Sequence, residues 1–427
     1  MKTKRIFLQA SFIGPRLRYV AKEIFERRLN LDLVFSGDAI PSKDDFVISY
    51  GLEGADIQIP SCGLLEASKN LSFDFIWTKD NLKDEISLSQ NVLSKDIFGI
   101  IFWFLSRYEE YQFEGPFDSY DRFPSSEARL NKLGLMDFPV VDFMVNSFSK
   151  ILISKGLDVS SNKSDIEISF DIDNATAFRE KGFYRNLLGL GLDSLTLELN
   201  RMRKRLTVLM GLEKDPFDNF DRIKFFAEAI SYKPQVFFWI GDYGKNDKGL
   251  TWKNSWFQNQ IKEISKVCCL GIHPSFNSFK NRKQLSTEIG RLESVSSETI
   301  LNNRFHFLRF QLPESYQLLE EKNIKEDFSM GFSDIFGYRA GTGHPFYWYD
   351  LKREMATNLK VHPFVMMDSL AHFKLKLNGP QFLESVKKAH LQASQVGGKL
   401  HIIFHNEHFS WEGWEKLIFE VNELNNP

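Results

Sequence analysis

From residue 166 onward, short apolar runs that end in polar residues alternate with longer segments whose apolar residues recur at helical spacing. This alternation predicts parallel strands joined by crossover helices, as in α/β proteins. The predicted strands cover residues 166–173, 235–241, 267–273, 304–311, 332–339, 364–368 and 401–405. The predicted helices between them cover residues 222–231, 254–266, 283–301, 313–322, 350–359 and 380–396. Seven such strands over roughly 260 residues predict a distorted (β/α) barrel.

The first 160 residues show a mixed pattern instead. Short strands are predicted at 31–35, 45–50, 57–59 and 71–77, and helical spacing occurs at 96–111 and 141–153. The polar stretch 156–164 is the best linker candidate. A chain of 427 residues is long for one core. We therefore predict a smaller α+β domain over residues 1–160 and the barrel domain over residues 165–427.

Composition narrows the class of protein. The formal net charge is −2, which argues against a general nucleic-acid binder. No apolar run reaches the ~18 residues that a membrane span needs. The three cysteines do not form a disulfide framework, and the N-terminus lacks a convincing signal peptide, so we predict a cytoplasmic protein. The oligomeric state is left open.

Candidate chemistry concentrates in the C-terminal part, where all nine histidines lie at or after His273. In a (β/α) barrel the active site forms at the carboxyl ends of the strands. Five of the seven predicted strands end in ionisable residues, namely Asp171 with Asp173, His273, Arg339, Asp368 and His405. This convergence predicts the location of the site.

Asp171 and Asp173 lie two residues apart on a predicted strand, so their side chains point to the same side. Two such carboxylates repel each other unless a divalent cation or an arginine lies nearby. One could bind a metal ion while the other accepts a proton from an attacking water. The structural alternative is an Asp-rich turn at which Asn174 begins a helix.

Histidines could complete a metal site. His273 ends a strand, and zinc readily accepts one carboxylate and two imidazoles. Strict alternation places Arg304 and His306 on one face of the next strand, so His306 is a possible second imidazole ligand. A hydrogen-bonded strand histidine is an equally good interpretation of His306.

The remaining strand ends suggest supporting roles. Arg339, in a glycine-rich segment, could hold a carboxylate ionised. Asp368 could orient a histidine, and His405 could donate a proton to a leaving group. Taken singly, each of the three could equally make a surface or interdomain hydrogen bond.

The order of these motifs resembles that of the NodB-like polysaccharide deacetylases: Asp-x-Asp at 171–173, His-Pro-Ser at 273–275, Arg339 among glycines, Met-Asp at 367–368, and a strand-terminal His405. It is similar in particular to a divergent bacterial branch with an extra N-terminal domain, which the phrases at 104–111 and 121–127 also resemble. The resemblance implies that Asp171 is the catalytic base and that Asp173 and His273 are metal ligands. It further implies that Arg339 pairs with the base and that Asp368 tunes His405, the general acid.

Two departures from the family pattern bear on the metal site. Ile172 separates the aspartates, which are adjacent in the family, so base and ligand could be exchanged. The position of the family's second histidine is Asn277. Either His306 replaces that histidine or Asn277 is a weak ligand; with neither, the domain would be inactive.

The resemblance thus implies a metal-dependent hydrolase that removes an N-acetyl group from an amino sugar or polysaccharide. The expected cofactor is a divalent metal ion, zinc ahead of cobalt or nickel. The alternatives are an inactive glycan-binding relative and a hydrolase of another C–N amide bond. The charged N-terminal residues Arg107, Glu109, Glu110, Asp121 and Arg122 are interpreted as interdomain ion pairs.

Overall fold

In a computed structural model, which describes residues 5–66, 95–159 and 164–425, the chain forms two sheets with helices packed around them. The strands are β1 (Ile6–Ala10), β2 (Leu33–Phe35), β3 (Phe46–Tyr50), β4 (Ile57–Ile59), β5 (Asp165–Ile172), β6 (Gln235–Phe238), β7 (Cys269–Ile272), β8 (Asn302–Asn303), β9 (Glu326–Asp327), β10 (Phe346–Asp350), β11 (Met355–Val361), β12 (Met366–Met367) and β13 (Lys399–His405). The α-helices are α1 (Pro15–Ala21), α2 (Ile97–Leu105), α3 (Tyr108–Tyr111), α4 (Arg129–Lys132), α5 (Val140–Ser154), α6 (Phe183–Leu195), α7 (Leu199–Leu209), α8 (Phe220–Ala229), α9 (Ser255–Ser265), α10 (Arg282–Ser296), α11 (Glu314–Glu321), α12 (Gly379–Ser394) and α13 (Leu417–Glu423). Shorter 3-10 helices and π-helical turns lie at Lys22–Arg28, Ser125–Glu127, Phe276–Ser278, His306–Leu308, Leu370–Lys374 and Asn406–Ser410.

The small sheet is formed by the N-terminal strands in the order β2-β1-β3-β4. Each of its described ladders is parallel, and the α+β class predicted for this region stays a prediction. Parallel neighbours need a crossover connection, and α1 with the following π-helical turn supplies it between β1 and β2. Ile6, Phe7 and Leu8 are all buried, as expected for a central strand covered on both faces.

The N-terminal region packs directly on the C-terminal one. All nine residues of α2 are buried, and its first turn is capped by the Asp96 side chain, which accepts a hydrogen bond from Gly99 N at 2.7 Å. Tyr19 in α1 donates its hydroxyl to the carbonyl of Tyr347 in β10 at 2.7 Å. Buried apolar side chains of both regions form one continuous cluster. The core therefore has no break at the predicted boundary, part of which lies outside the described residues, and the division at residues 160–165 stays a prediction.

The large sheet has the order β10-β11-β9-β8-β7-β6-β5-β13-β12. Its ladders are parallel except that between β10 and β11, which confirms an α/β fold with parallel strands. Within the described residues no ladder joins the edge strands β10 and β12, so the sheet is open and the predicted barrel is not confirmed. Irregular segments approach each other at this gap, where Phe364 N donates to Met330 O at 3.1 Å.

Three predicted elements are wrong, and the strand predicted at 71–77 lies outside the described residues. Residues 304–311 are not a strand because Phe307 and Leu308 turn the chain, with φ of 58° and 53°. Residues 332–339 are irregular, and Gly337 approaches Met136 so closely that a Cβ would overlap its carbonyl oxygen. Residues 350–359 form the tight turn and strand of the β10–β11 hairpin, because the Asp350 carboxylate accepts from Lys352 N at 2.9 Å.

Strand β5 shows how the fold positions polar side chains. Its apolar residues Ile166, Ile168 and Phe170 are buried, and the ring of Phe170 packs edge-on against Phe226 of α8. Ser169 and Asp171 point to the opposite face, because side chains alternate along a strand. Asp173 follows the strand end at Ile172, so the carboxylates lie at the carboxyl edge of the sheet.

None of the helices that the structure describes is long and apolar enough to cross a membrane.

Candidate active site

A cavity of about 440 Å³ opens at the carboxyl edge of the large sheet. Polar residues from the strand ends lie on its floor, and aromatic side chains from both regions of the chain line its walls. Its lining residues include Tyr120, Arg122, Asp171, Asp173, His273, His306, Phe307, Phe373, His405, Glu407 and His408.

Asp173, His273 and His306, hereafter the Asp173 group, place one potential ligand atom each within 4.8 Å of one another. His273 follows β7, and His306 lies in the short helix after β8. The Nε2 atom of His273 is 3.1 Å from Asp173 Oδ1, and that of His306 is 3.4 Å from Asp173 Oδ2. The structure thus brings together the three residues that the sequence predicts as metal ligands.

Both imidazoles of the Asp173 group have an acceptor at their other nitrogen. His273 Nδ1 lies 2.6 Å from the carbonyl oxygen of Arg304, and His306 Nδ1 lies 3.3 Å from Asp247 Oδ1. A carbonyl oxygen only accepts, so His273 Nδ1 carries a proton. Such an outer acceptor fixes the tautomer that leaves Nε2 available to a metal ion.

One carboxylate oxygen of Asp173 has no hydrogen-bond donor, and this bears on whether the Asp173 group suits a cation. Asp173 Oδ1 is buried and accepts no hydrogen bond, although His273 Nε2 is 3.1 Å away. Two lone pairs facing each other at that distance repel unless a proton or a metal ion lies between them. One carboxylate and two imidazoles are ligands that zinc and similar divalent ions accept, so the residues fit such an ion.

The charges in the group are strongly coupled. Burial by itself would raise the pKa of Asp173, but the imidazoles of His306 and His273 hold it well below its usual range. Burial would likewise lower the pKa of His306, but the carboxylates of Asp173 and Asp247 raise it to about 9. The ionised carboxylate of Asp173 therefore lies next to positive charge, as it would if a cation were bound there.

Asp171 is held by an arginine that the sequence did not assign to it. Its Oδ1 accepts from Arg304 Nη1 at 2.6 Å, and Arg304 Nη2 donates to Ser169 Oγ at 2.8 Å. Arg304 is completely buried and its guanidinium stacks over the ring of Phe237. The second oxygen, Asp171 Oδ2, stays 3.9 Å from His273 Nε2, on the side of the Asp173 group.

The expected pairing of Arg339 with the base is corrected. Arg339 is buried and donates from Nε and Nη2 to the carboxylate of Glu110, at 2.9 and 2.8 Å. Its partner belongs to the N-terminal region, because the segment after β9 runs irregularly toward α3 and does not form the predicted strand. Asn277, the weaker ligand alternative, is exposed on the helix Phe276–Ser278 and is not among the residues that line the cavity.

A second group at the same edge consists of Asp368, His405 and His408, hereafter the Asp368 group. His405 Nδ1 lies 2.6 Å from Asp368 Oδ1, and His408 Nδ1 lies 2.9 Å from Asp368 Oδ2. Burial would lower the pKa of His405, but Asp368 raises it to about 10. Strand pairing sets His405 of β13 opposite Asp171 of β5, so these two side chains are neighbours in the cavity.

Sequence analysis did not single out Asp247 and assigned no role to Arg304. Asp247, in the loop after β6, accepts from Trp239 Nε1 at 2.9 Å and faces His306. No periodic pattern marks that loop. Alternation had placed Arg304 beside His306, and this signal could have suggested Arg304 as the partner of Asp171.

The N-terminal region reaches the cavity rim. The ring of Tyr120 stacks on Phe307 at 5.4 Å between centroids, and Arg122 donates to the carbonyl of Phe307 at 2.8 Å. Of the five residues predicted to form interdomain ion pairs, Asp121 pairs with Arg309 and Glu110 with Arg339, at 2.5 and 2.8 Å. The expectation is corrected for the others, because Arg107 pairs with Glu109 and Arg122 with Asp118 inside the N-terminal region. The region therefore shapes the cavity wall next to the Asp173 group.

Comparison with known proteins gives one family match and several structural similarities. Residues 6–156 match the model of a family of unknown function, DUF7033. No curated protein matches the chain. Solved structures that resemble it include a candidate polysaccharide deacetylase from Mycobacterium smegmatis (11% identity, TM-score 0.41, 62% of this chain and 85% of that one) and Puue allantoinase (11% identity, TM-score 0.40, 61% and 83%). A probable polysaccharide deacetylase from Pseudomonas aeruginosa PAO1 has 10% identity and a TM-score of 0.38, over 61% of this chain and 84% of that one. The family match covers less than half of the chain, so the family of the C-terminal region stays a prediction.

Proposed function

We propose that this protein is a metal-dependent hydrolase that removes an N-acetyl group from an amino sugar or polysaccharide. One observation carries the proposal: the Asp173 group lies beside a free carboxylate oxygen of Asp171 and the imidazole of His405 in a single cavity. Metal-dependent amide hydrolysis needs such a ligand set, a base and an acid within reach of one carbonyl group.

Asp173, His273 and His306 would hold the cation. A divalent ion bound there supplies Lewis acidity toward a substrate carbonyl and toward a water molecule. The chain's contribution is to fix the ligands, since Arg304 O and Asp247 orient the two imidazoles. Zinc is the first candidate because its preferred ligands match this set.

Asp171 would act as the general base. Its Oδ1 is engaged by Arg304, which leaves Oδ2 to accept a proton from the attacking water. The buried guanidinium compensates the charge of the carboxylate and prevents it from rotating away.

His405 would protonate the departing amine. Its Nδ1 is bound to Asp368, so Nε2 faces the cavity, 4.0 Å from Asp173 Oδ2. An imidazolium held in this way can release a proton at Nε2 as the C–N bond breaks. Rings of Tyr120, Phe307 and Phe373 line the walls and provide apolar surface for a sugar ring.

The proposal is tested by metal analysis combined with an acetate-release assay on oligomers of N-acetylglucosamine. We expect about one divalent ion per chain, release of acetate that stops on chelation, and recovery when zinc is restored. Asp173→Ala and His273→Ala should lack both metal and turnover. Turnover that persists after complete metal removal would contradict the proposal. If another C–N bond is cleaved and no acetate is released, the substrate is a different amide.

A further inference from the structure

Helices α6 and α7, with the turn that follows them, form a hairpin over residues 183–212 that neither the sequence patterns nor the proposed function explains. The hairpin is inserted between β5 and α8, so it leaves the sheet at the carboxyl edge where the cavity opens. It is anchored there, because the Asp215 carboxylate accepts from the backbone nitrogens of Ala177, Phe178 and Arg179 at 2.7–2.9 Å.

The hairpin buries polar residues and exposes apolar ones, the reverse of a helix pair in water. Between the helices, the buried Arg205 donates to Asp193 Oδ2 at 2.9 Å and to Asn186 Oδ1 at 3.2 Å. Large apolar side chains cover the outer surface instead: Phe183, Tyr184, Leu187, Leu188, Leu192, Leu195, Leu197, Leu199, Leu206, Leu209, Met210 and Leu212. Soluble proteins rarely expose contiguous apolar surface on this scale unless another surface covers it.

The tip of the hairpin strengthens this contrast. Leu197 has a φ of 57°, a conformation that favours glycine or asparagine, and its side chain is 79% exposed. Leu195 beside it is 82% exposed. A turn selected only for folding in water would have a small or polar residue at this position.

Basic residues surround the apolar surface. Arg205 and Asp193 are buried as a pair between the helices, and the other charged residues of 181–214 are six basic and two acidic, whereas the whole chain carries a net charge of −2. The basic residues are Lys181, Arg185, Arg201, Arg203, Lys204 and Lys214, and the acidic ones are Glu198 and Glu213. The covering surface should therefore be apolar and negatively charged at its boundary.

We propose that the hairpin docks on the surface of an anionic lipid bilayer, with its leucines in the headgroup–acyl boundary. Its helices have 13 and 11 residues, short of the ~20 that a span requires, so it would lie in the interface. Apolar area and attraction of basic residues to anionic lipid both favour that position. A second copy of the chain fits less well, because a symmetric contact through this face would set the same basic residues against each other.

The test is sedimentation of the 427-residue chain with vesicles of phosphatidylcholine alone and of phosphatidylcholine mixed with phosphatidylglycerol. We expect binding to the mixed vesicles and at least about tenfold weaker partitioning for the double variant Leu188→Glu and Leu195→Glu. Leu391→Glu is the matched control, since Leu391 is 68% exposed on α12, outside the hairpin, against 70% for Leu188. It should bind like the unmodified protein. All substituted side chains are exposed, so the thermal midpoints should agree and show that each variant is folded.

A variant that removes one positive charge separates the electrostatic contribution to vesicle binding from the apolar one. Arg203→Gln should weaken binding to the mixed vesicles about fivefold and bring no change with phosphatidylcholine alone. The proposal is overturned if the unmodified protein stays in the supernatant with mixed vesicles. A second outcome would also overturn it. If neither the unmodified protein nor the double leucine variant binds vesicles, and light scattering shows that only the unmodified protein self-associates, the hairpin contacts a second copy of the chain. Vesicle binding requires no turnover, so this result is independent of the proposed hydrolase function.

Discussion

Two groups with the same composition, one aspartate and two histidines each, lie at the carboxyl edge of the large sheet but have different hydrogen-bond connections. In the Asp173 group the imidazoles turn their Nδ1 atoms away, to Arg304 O and Asp247, and present Nε2 to the carboxylate. In the Asp368 group it is the Nδ1 atoms that face the carboxylate. The same residue types therefore create opposite hydrogen-bonding situations a few ångströms apart.

The carboxylates differ accordingly. Asp173 Oδ1 accepts no hydrogen bond, whereas both oxygens of Asp368 accept from backbone nitrogens, of Ser369 at 2.6 Å and of His405 at 2.7 Å. The two imidazoles hold the pKa of Asp368 well below its usual range although burial opposes this. A saturated carboxylate has little left for a metal ion, so composition and proximity alone do not identify a metal site.

The largest expected difference between the groups is in metal content. Asp173→Ala removes the only carboxylate of its group and should abolish bound metal and turnover together. Asp368→Ala should keep stoichiometric metal and lose turnover, because it removes the partner of His405 and His408 but no residue of the Asp173 group. Elemental analysis of both purified variants checks this. Loss of metal from the Asp368 variant instead would reverse the assignment of the two groups.

A smaller effect is expected for the base. Asp171→Asn should lower kcat by about 10²–10⁴-fold while leaving bound metal unchanged, because the amide cannot accept the proton but still contacts Arg304. Glu167→Gln, on the same face of β5 and paired with Lys399, is the matched control and should leave kcat unchanged. Steady-state kinetics with metal analysis separates the two outcomes. A kcat that is unaffected in Asp171→Asn would exclude this residue as the base.

The outer partner of His306 should have a still smaller effect. Asp247→Asn should weaken metal affinity about 10–100-fold, because His306 loses the carboxylate that orients it. Asp242→Asn, at an exposed position five residues earlier in the loop, should leave the affinity unchanged. Competition with a chelator of known affinity measures both variants. Equal affinities for the two would show that Asp247 does not support a metal ligand.

The smallest effect on turnover is expected for Arg339. Arg339→Met leaves the cavity intact but removes one of the two arginines that contact the buried Glu110, the other being Arg107 at 2.8 Å. We therefore expect kcat to hold while the free energy of unfolding falls by about 3 kcal/mol, the lower end for a broken buried ion pair. Chemical denaturation with kinetics on the same samples is the measurement. A large fall in kcat with unchanged stability would return Arg339 to the catalytic role that the family resemblance implied.

Local patterns predicted that several candidate residues would lie together, because these residues stand at strand ends. Asp171, His273 and His405 each follow or close an apolar run, and parallel strands collect such residues at one edge. The same reasoning failed where tertiary contacts override local preference. Residues 350–359 have helical spacing, yet the turn at Asp350 and pairing with β10 make them a hairpin.

The sequence did not predict which side chains form hydrogen bonds across the sheet. Arg304 and Arg339 both lie near a predicted strand end, and only the path of the chain decides that one contacts Asp171 and the other Glu110. Asp247 lies in a loop without periodicity, so its approach to His306 follows from loop packing alone. The 183–212 hairpin escaped prediction because its apolar residues face outward.

The sequence by itself determined that this chain has an α/β C-terminal part whose parallel strands end in carboxylates and imidazoles, because alternation and strand ends are local properties. The tertiary structure alone decided that the sheet is open across the part of the chain described and that the N-terminal region forms one wall of the cavity. It also decided which of two identical sets of side chains has an unpaired carboxylate oxygen. The physical reason is that hydrogen-bond partners are distant in sequence, as with Asp171 and Arg304, 133 residues apart.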